Sequence, residues 1–274
     1  MPVIQANGIE IGYEIHGSGQ PLVLIAGIGY DRWMWRRMIP GLAAHFRVIA
    51  FDNRGVGESS RPPGPYSAEM MASDTAGLIE ALDLGPAAVM GHSMGGFIAQ
   101  ALVLSRPDLV RALVLSATNF GGPRHVPVTP AALQVLTDLS LDPVERFRRG
   151  LAVSCAPGFA EANPDLIEEW VAYRLNNPIH PDHYQAQLAV GLGLLDEEAS
   201  FEKRLPQVRQ PTLILFGAHD QVVPPANAGL LQRQIPNSQV HILPDAGHFF
   251  PIEAPGAAVE AVVRFLQRVE SSSL

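Results

Sequence analysis

A single cysteine, Cys155, stands in the 274 residues, so an internal disulfide is excluded, and paired-cysteine metal sites with it. No His-Glu-x-x-His stretch or other metal-ligand spacing is recognisable, and no metal or cofactor is implied. Basic residues are few: 19 Lys and Arg against 27 Asp and Glu give a net charge of −8. The basic residues appear in short clusters such as Arg146, Arg148 and Arg149, which argues against nucleic acid as a partner. No apolar run approaches the length that spans a bilayer, and Met1-Pro2-Val3-Ile4 is not a cationic start leading into an apolar run. A cytoplasmic protein with no membrane partner is therefore expected. Repeats and low-complexity segments are missing too, apart from Ser271-Ser272-Ser273, expected to be a frayed tail.

What is present is one core's worth of apolar residues, 47% of the chain, enough for one catalytic domain plus an insertion. Asn7-Gly8 between two alternating segments (Val3, Ile4, then Ile9, Ile11, Tyr13, Ile15) predicts an antiparallel hairpin. A run apolar on both faces predicts a covered strand at Pro21–Ala26, and Phe46–Phe51 another buried one; further strands are predicted at Ala88–Met90, Val110–Ser116, Pro211–Gly217 and Val240–Leu243. Helical spacing predicts helices over Trp33–Leu42, Ser67–Leu82, from Phe97 to about Ser105, after Pro225, and over Ala257–Val269. Strands alternating with helices call for a parallel sheet with helices on both faces. From Gly121 to about Leu205 eight prolines break this rhythm. The pieces between them, Ala131–Leu139, Pro143–Val153, Pro164–Leu175 and Asp182–Leu194, predict a small helical insertion.

One stretch organises the chemistry. Ala88-Val89-Met90 leads into Gly91-His92-Ser93-Met94-Gly95-Gly96, and an apolar helical pattern follows, which puts Ser93 on a strand-to-helix turn. A serine on so sharp a turn needs neighbours without side chains, hence glycine two residues to either side. A serine hydroxyl is a poor nucleophile unless a base and a group orienting that base are supplied. Asp220 lies just beyond the strand ending in Phe216-Gly217, and His248 just beyond the strand ending in Leu243. In a parallel sheet both would share an edge with Ser93, His248 as general base and Asp220 as its orienter. His92 and His219 are rival bases, Asn119 and Asp245 rival partners. The backbone N–H groups of Ile28 and Met94 are the expected oxyanion donors. Gly29, Trp33, Phe120, Val222 and Phe249 are the expected substrate-binding residues, with Trp35 and the Ile28 side chain as further wall candidates. Cys155, amid Ala152-Val153-Ser154, lacks a base motif and is expected to pack. His180-x-x-His183 lacks a third ligand and suggests a solvated helix start, and Gly55-x-Gly57 lacks the remainder of a phosphate-binding fingerprint.

With Gly91-His92-Ser93-Met94-Gly95-Gly96, Asp52-Asn53-Arg54-Gly55-Val56-Gly57-Glu58-Ser59, Gly217-Ala218-His219-Asp220 and Gly247-His248, the chain resembles the α/β-hydrolase superfamily over almost its full length. It is similar to the capped group of carboxylesterases, 3-oxoadipate enol-lactonases, cofactor-free perhydrolases and carbon–carbon bond hydrolases. The resemblance implies a mostly parallel eight-stranded sheet flanked by helices. It also implies a core at about 1–120 and 206–274, with a helical cap at about 121–205 inserted after the sixth strand. Ala26-Gly27 stands where many relatives have His-Gly. Serine stands where haloalkane dehalogenases and epoxide hydrolases have aspartate, which argues against both activities. The expected function is cleavage of a small-molecule carboxylic ester or lactone through an acyl-enzyme. Carbon–carbon bond hydrolysis and perhydrolysis are the enzymatic alternatives, and a ligand receptor of the same fold is the non-enzymatic one.

Overall fold

The computed structural model describes residues 2–138 and 140–271. Eight strands form one sheet in the order β1-β2-β4-β3-β5-β6-β7-β8: β1 Val3–Ala6, β2 Ile9–His16, β3 Pro21–Ile25, β4 Arg47–Phe51, β5 Ala87–His92, β6 Val110–Ser116, β7 Thr212–Gly217 and β8 Ser238–Leu243. The first two strands are antiparallel, joined through Asn7 (φ 49°) and Gly8 (φ 76°), the backbone a two-residue hairpin turn requires. From β3 onward all pairings are parallel, so the carboxyl ends of β3 through β8 share one edge.

The central strands bury both faces, and alternate residues feed two separate cores. Val23, Ile25, Val89, Leu113, Leu115, Ile214 and Phe216 pack on one side with α2 (Ala68–Ala81), α3 (Met94–Ser105) and α9 (Ala226–Gln234). Leu22, Leu24, Met90, Val114, Leu213 and Leu215 pack on the other with α1 (Ile39–Ala43), α10 (Phe250–Glu253) and α11 (Pro255–Ser271). Each helix face is thereby matched to one parity of the strands.

Between β6 and β7 the chain forms α4 (Pro130–Leu136), α5 (Pro143–Ser154), α6 (Phe159–Ala162), α7 (Pro164–Asn176) and α8 (Pro181–Leu192). Proline at the first or second position of α4, α5, α7 and α8 explains why the prolines punctuate this region without abolishing its helices. A third apolar cluster joins these helices to the rest: Leu151, Cys155, Ile167, Trp170 and Val171 meet Ile252, Tyr30, Trp33 and Phe249.

The sequence expectation fails at one helix. Trp33–Leu42 is not continuous: a one-turn 3₁₀ segment, Arg32–Trp35, is capped by the Asp31 side chain, and α1 starts only at Ile39. Pro40 has no N–H to donate to residue 36 and its ring would strike that carbonyl, so a helix through both parts is forbidden. The short helices α6 and α10 went unpredicted, being single turns without a readable period. Leu139, at the end of one predicted helix, and Ser272 and Ser273 of the predicted tail lie outside the described residues, while Ser271 ends α11. Among the described residues no helix is long and apolar enough to cross a membrane.

Candidate active site

Ser93 occupies the turn between β5 and α3 with φ 55° and ψ −119°, a conformation that L-residues avoid. It persists because the surroundings over-determine it. The Ser93 N–H donates to the Ser116 carbonyl at 2.9 Å, and its own carbonyl accepts from Thr118 Oγ1 at 2.9 Å and from the Gly96 N–H at 2.8 Å. A Cβ at Gly91 would lie 2.1 Å from the Gly95 carbonyl oxygen, and one at Gly95 2.2 Å from that of Ile25. The two glycines therefore let strand, turn and helix close on one another.

The neighbouring His92 points away from the serine. Its ring is fully buried, with Nδ1 2.8 Å from Ser116 Oγ and Trp35 and Phe250 packed edge-on against it. Burial drives its pKa well below the ordinary histidine value, and the nearby His248 adds to the effect. His92 is thus a neutral core residue.

His248 and Asp220 meet at the carboxyl ends of β8 and β7. His248 Nδ1 is 2.8 Å from Asp220 Oδ2, with both side chains buried, and Asp220 Oδ1 accepts the Val222 N–H at 2.9 Å and the Val223 N–H at 2.7 Å. The carboxylate is fixed by its own loop, and with it the plane of the imidazole. The two loops touch backbone to backbone: a Cβ at Gly217 would lie 2.2 Å from the Gly247 carbonyl oxygen. The His248 ring centroid is 4.9 Å from that of His92, beside Ser93 in the chain. Among the described residues His248 Nε2 and Ser93 Oγ have no hydrogen-bond partner.

The loop after β3 runs past the same point, and a Cβ at Gly27 would come within 3.2 Å of Ser93 Cβ. Among the described residues the N–H groups of Ile28 and Met94 have no acceptor. The Met94 N–H opens α3 directly after Ser93, and the Ile28 N–H follows Gly27, whose Cα faces the serine.

The expected wall residues separate into groups. Phe249 follows His248 directly and packs on Tyr30 at 5.3 Å and Trp170 at 5.0 Å between ring centroids. Val222 lies on the Asp220 loop. Gly29 adjoins Ile28 and is packed against Arg174 and Tyr184. Trp33 stacks on Tyr173 of α7 at 4.2 Å and lies under the Arg36 guanidinium. Phe120 and Trp35 are fully buried in opposite cores.

The rivals are engaged elsewhere. His219 and Asp245 are exposed, and Asn119 Oδ1 accepts the Gly121 N–H. Cys155 is buried with its thiol pKa pushed well up by burial. His180 caps α8 through Nδ1, and His183 Nδ1 is 3.5 Å from the Tyr66 hydroxyl. In the Asp52–Ser59 loop, Asp52 accepts the Arg32 and Glu58 N–H groups, and Arg54 forms a buried two-point ion pair with Asp74, each bond 2.6 Å. That loop is a structural turn.

Residues invisible to the sequence reading hold the site from outside. Gln187 Oε1 accepts the Gly29 N–H at 2.8 Å, the Ser154 carbonyl accepts the His248 N–H at 2.6 Å, and Glu253 accepts the N–H groups of Ala156 and Gly247. None belongs to a local motif, so no sequence signal marks them.

A profile for the α/β hydrolase fold matches residues 20–255, and the chain belongs to that family. It is similar to BpoC of Mycobacterium tuberculosis, which carries the designation non-heme bromoperoxidase: 33% identity over 275 residues, 96% of this chain and 100% of that protein. Among solved structures it is similar to a thermophilic esterase from Thermogutta terrifontis, with 31% identity, TM-score 0.79, and coverage of 98% of this chain and 99% of that one. The enol-lactonase from Burkholderia xenovorans LB400 is similar at 27% identity and TM-score 0.79, covering 97% and 100%.

Proposed function

We propose that this chain is a serine hydrolase that cleaves a carboxylic ester or lactone through an acyl-enzyme. The observation that carries the reading is the pair His248–Asp220, closed at 2.8 Å on Nδ1, with the His248 ring 4.9 Å from that of His92, the residue that precedes Ser93. In this reading Ser93 Oγ attacks the carbonyl carbon while His248 Nε2 takes its proton. Asp220 fixes the tautomer and stabilises the imidazolium. The tetrahedral oxyanion receives the Ile28 and Met94 N–H groups, each worth roughly 3 kcal/mol of transition-state stabilisation. His248 then protonates the leaving alcohol, and water attacks the acyl-enzyme by the same route reversed.

The helices of residues 121–205 act as a cap over this site, with Gly29, Trp33, Phe120, Val222 and Phe249 assigned to the substrate side. The esterase and the lactonase among the similar structures support an ester or lactone as substrate. The aromatic group Tyr30, Trp170 and Phe249 favours an uncharged acyl portion of small to medium size.

A panel of esters, lactones and vinylogous diketones, run on the native protein and on Ser93→Ala, tests the reading. Ester or lactone cleavage by the native form alone is the expected result. Cleavage of diketones only, activity only with peroxide as acyl acceptor, or undiminished activity in Ser93→Ala would overturn it.

A further inference from the structure

The loop carrying the Ile28 amide closes on itself through the Tyr30 N–H, which donates to the Gly27 carbonyl at 3.2 Å, and is otherwise tied to more distant segments. Its first carbonyl, that of Ala26, accepts from Asn53 Nδ2 at 3.1 Å. Its last residue, Gly29, is held on both sides by helices that lie between β6 and β7. Gln187 of α8, fully buried, accepts the Gly29 N–H through Oε1 at 2.8 Å and donates through Nε2 to the Arg54 carbonyl at 2.8 Å. The Arg174 guanidinium of α7 donates to the Gly29 carbonyl. The peptide plane between Gly29 and Ile28 includes the Gly29 N–H, so a restraint on that N–H also limits rotation about Ile28.

We propose that Gln187 is a positioning residue: its carboxamide bridges Gly29 and Arg54 and so aims the Ile28 N–H at the developing oxyanion, making the seated α8 part of the catalytic machinery. The proposal rests on the reading of Ile28 and Met94 as oxyanion donors. Gln187 touches no reacting atom. It acts on a transition-state contact, so its loss lowers kcat more than it raises KM. A donor displaced by about 1 Å costs on the order of 100-fold in rate.

The experiment compares native protein, Gln187→Leu and Tyr173→Phe on one ester that the native protein cleaves. Tyr173→Phe removes a different bond between α7 and the core, the hydroxyl donating to Asp31 Oδ2 at 2.7 Å, while its ring still stacks on Trp33. Gln187→Leu is expected to lose roughly 10- to 100-fold in kcat with KM changed less than about threefold. Its affinity for a trifluoromethyl ketone, which forms an oxyanion on Ser93, should fall in proportion to kcat/KM. Tyr173→Phe should leave both close to native. Equal losses in the two variants would mean only general docking of the helices, and an unchanged kcat in Gln187→Leu would mean no positioning role; either overturns the proposal. Should Gln187→Leu fail to fold, Arg174→Met, which frees the carbonyl of the same Gly29, carries the same expectation. If the native protein cleaves no ester or lactone and a fluorophosphonate does not label Ser93, the functional reading itself fails. If native protein is labelled and active while Gln187→Leu matches it, only this inference does.

Discussion

Around Ser93 the restraints come from the sheet, the residues just past β6 and the helix that follows the serine: the Ser116 carbonyl, Thr118 Oγ1, the Gly96 N–H and the close approach of Gly95 to Ile25. Around Gly29 and His248 the restraints come from elsewhere. Gln187 and Arg174 hold the first, and the Ser154 carbonyl at the end of α5 takes the His248 N–H. Glu253 then ties Gly247 to Ala156, so the segment bearing His248 is fastened to the start of the loop after α5. Ser93, the proposed nucleophile, is thus rigid by local geometry. The proposed base, His248, and the loop of the proposed amide donor Ile28 are fastened to distant helices and depend on those helices being seated.

The steepest test lies on the nucleophile's side: Ser93→Ala should lower kcat by roughly 10⁴- to 10⁶-fold without changing the melting temperature appreciably, as measured by ester hydrolysis and calorimetry. Next is Asp220→Asn, expected to cost on the order of 10⁴-fold in kcat because an amide NH₂ facing Nδ1 selects the wrong tautomer. Its pH–rate profile should change along with the rate.

Glu253→Ala probes the other side directly. It leaves the Ala156 and Gly247 N–H groups without their acceptor, and should cost about 1–3 kcal/mol of stability and roughly 10- to 100-fold in kcat. Glu253→Gln, which keeps one oxygen able to accept both, should retain most of each. A fully active Glu253→Ala would show that the Glu253 bridge between Gly247 and Ala156 does not position His248, and that part of the comparison would break.

A smaller effect belongs to His92. Its folded-state pKa is depressed by burial, so below the ordinary histidine value the unfolded chain takes up a proton that the folded chain refuses. Stability is therefore full above that value and falls with decreasing pH, by at most about 1.4 kcal/mol per pH unit for this one group. Denaturant melts between pH 8 and pH 5 should show this slope reduced in His92→Asn. The smallest effect is Gly8→Ala, far from both halves. Added Cβ atoms meet nothing there within 4 Å, so backbone strain at positive φ alone should cost about 1–2 kcal/mol, with kcat unchanged.

The sheet was readable because the strands β3, β5, β6 and β7 are buried on both faces and so carry largely apolar runs, broken in β6 only near its start by Arg111, while Asn7-Gly8 marks a hairpin. The continuous helix predicted over Trp33–Leu42 overlooked Pro40, whose steric effect outweighs the apolar spacing around it. Gly91 and Gly95 were legible as well, since each marks a place where two backbones meet, whereas the same role of Gly217 and Gly247 emerged only in the structure. Gln187 offered no such mark. On α8 it is one of two glutamines, and its two partners lie 158 and 133 residues away.

By itself the sequence determined the alternation of strands and helices, the turn that presents Ser93, and the chain order in which Asp220 and His248 follow it. These are consequences of periodicity and of local steric exclusion, which act between near neighbours and leave a pattern in the chain. Only the tertiary structure decided that Gln187 and Arg174 hold Gly29, and that Ser154 and Glu253 hold the His248 loop. Such bonds satisfy single buried backbone groups across long separations, and any polar side chain or free carbonyl that folding brings within reach can make them.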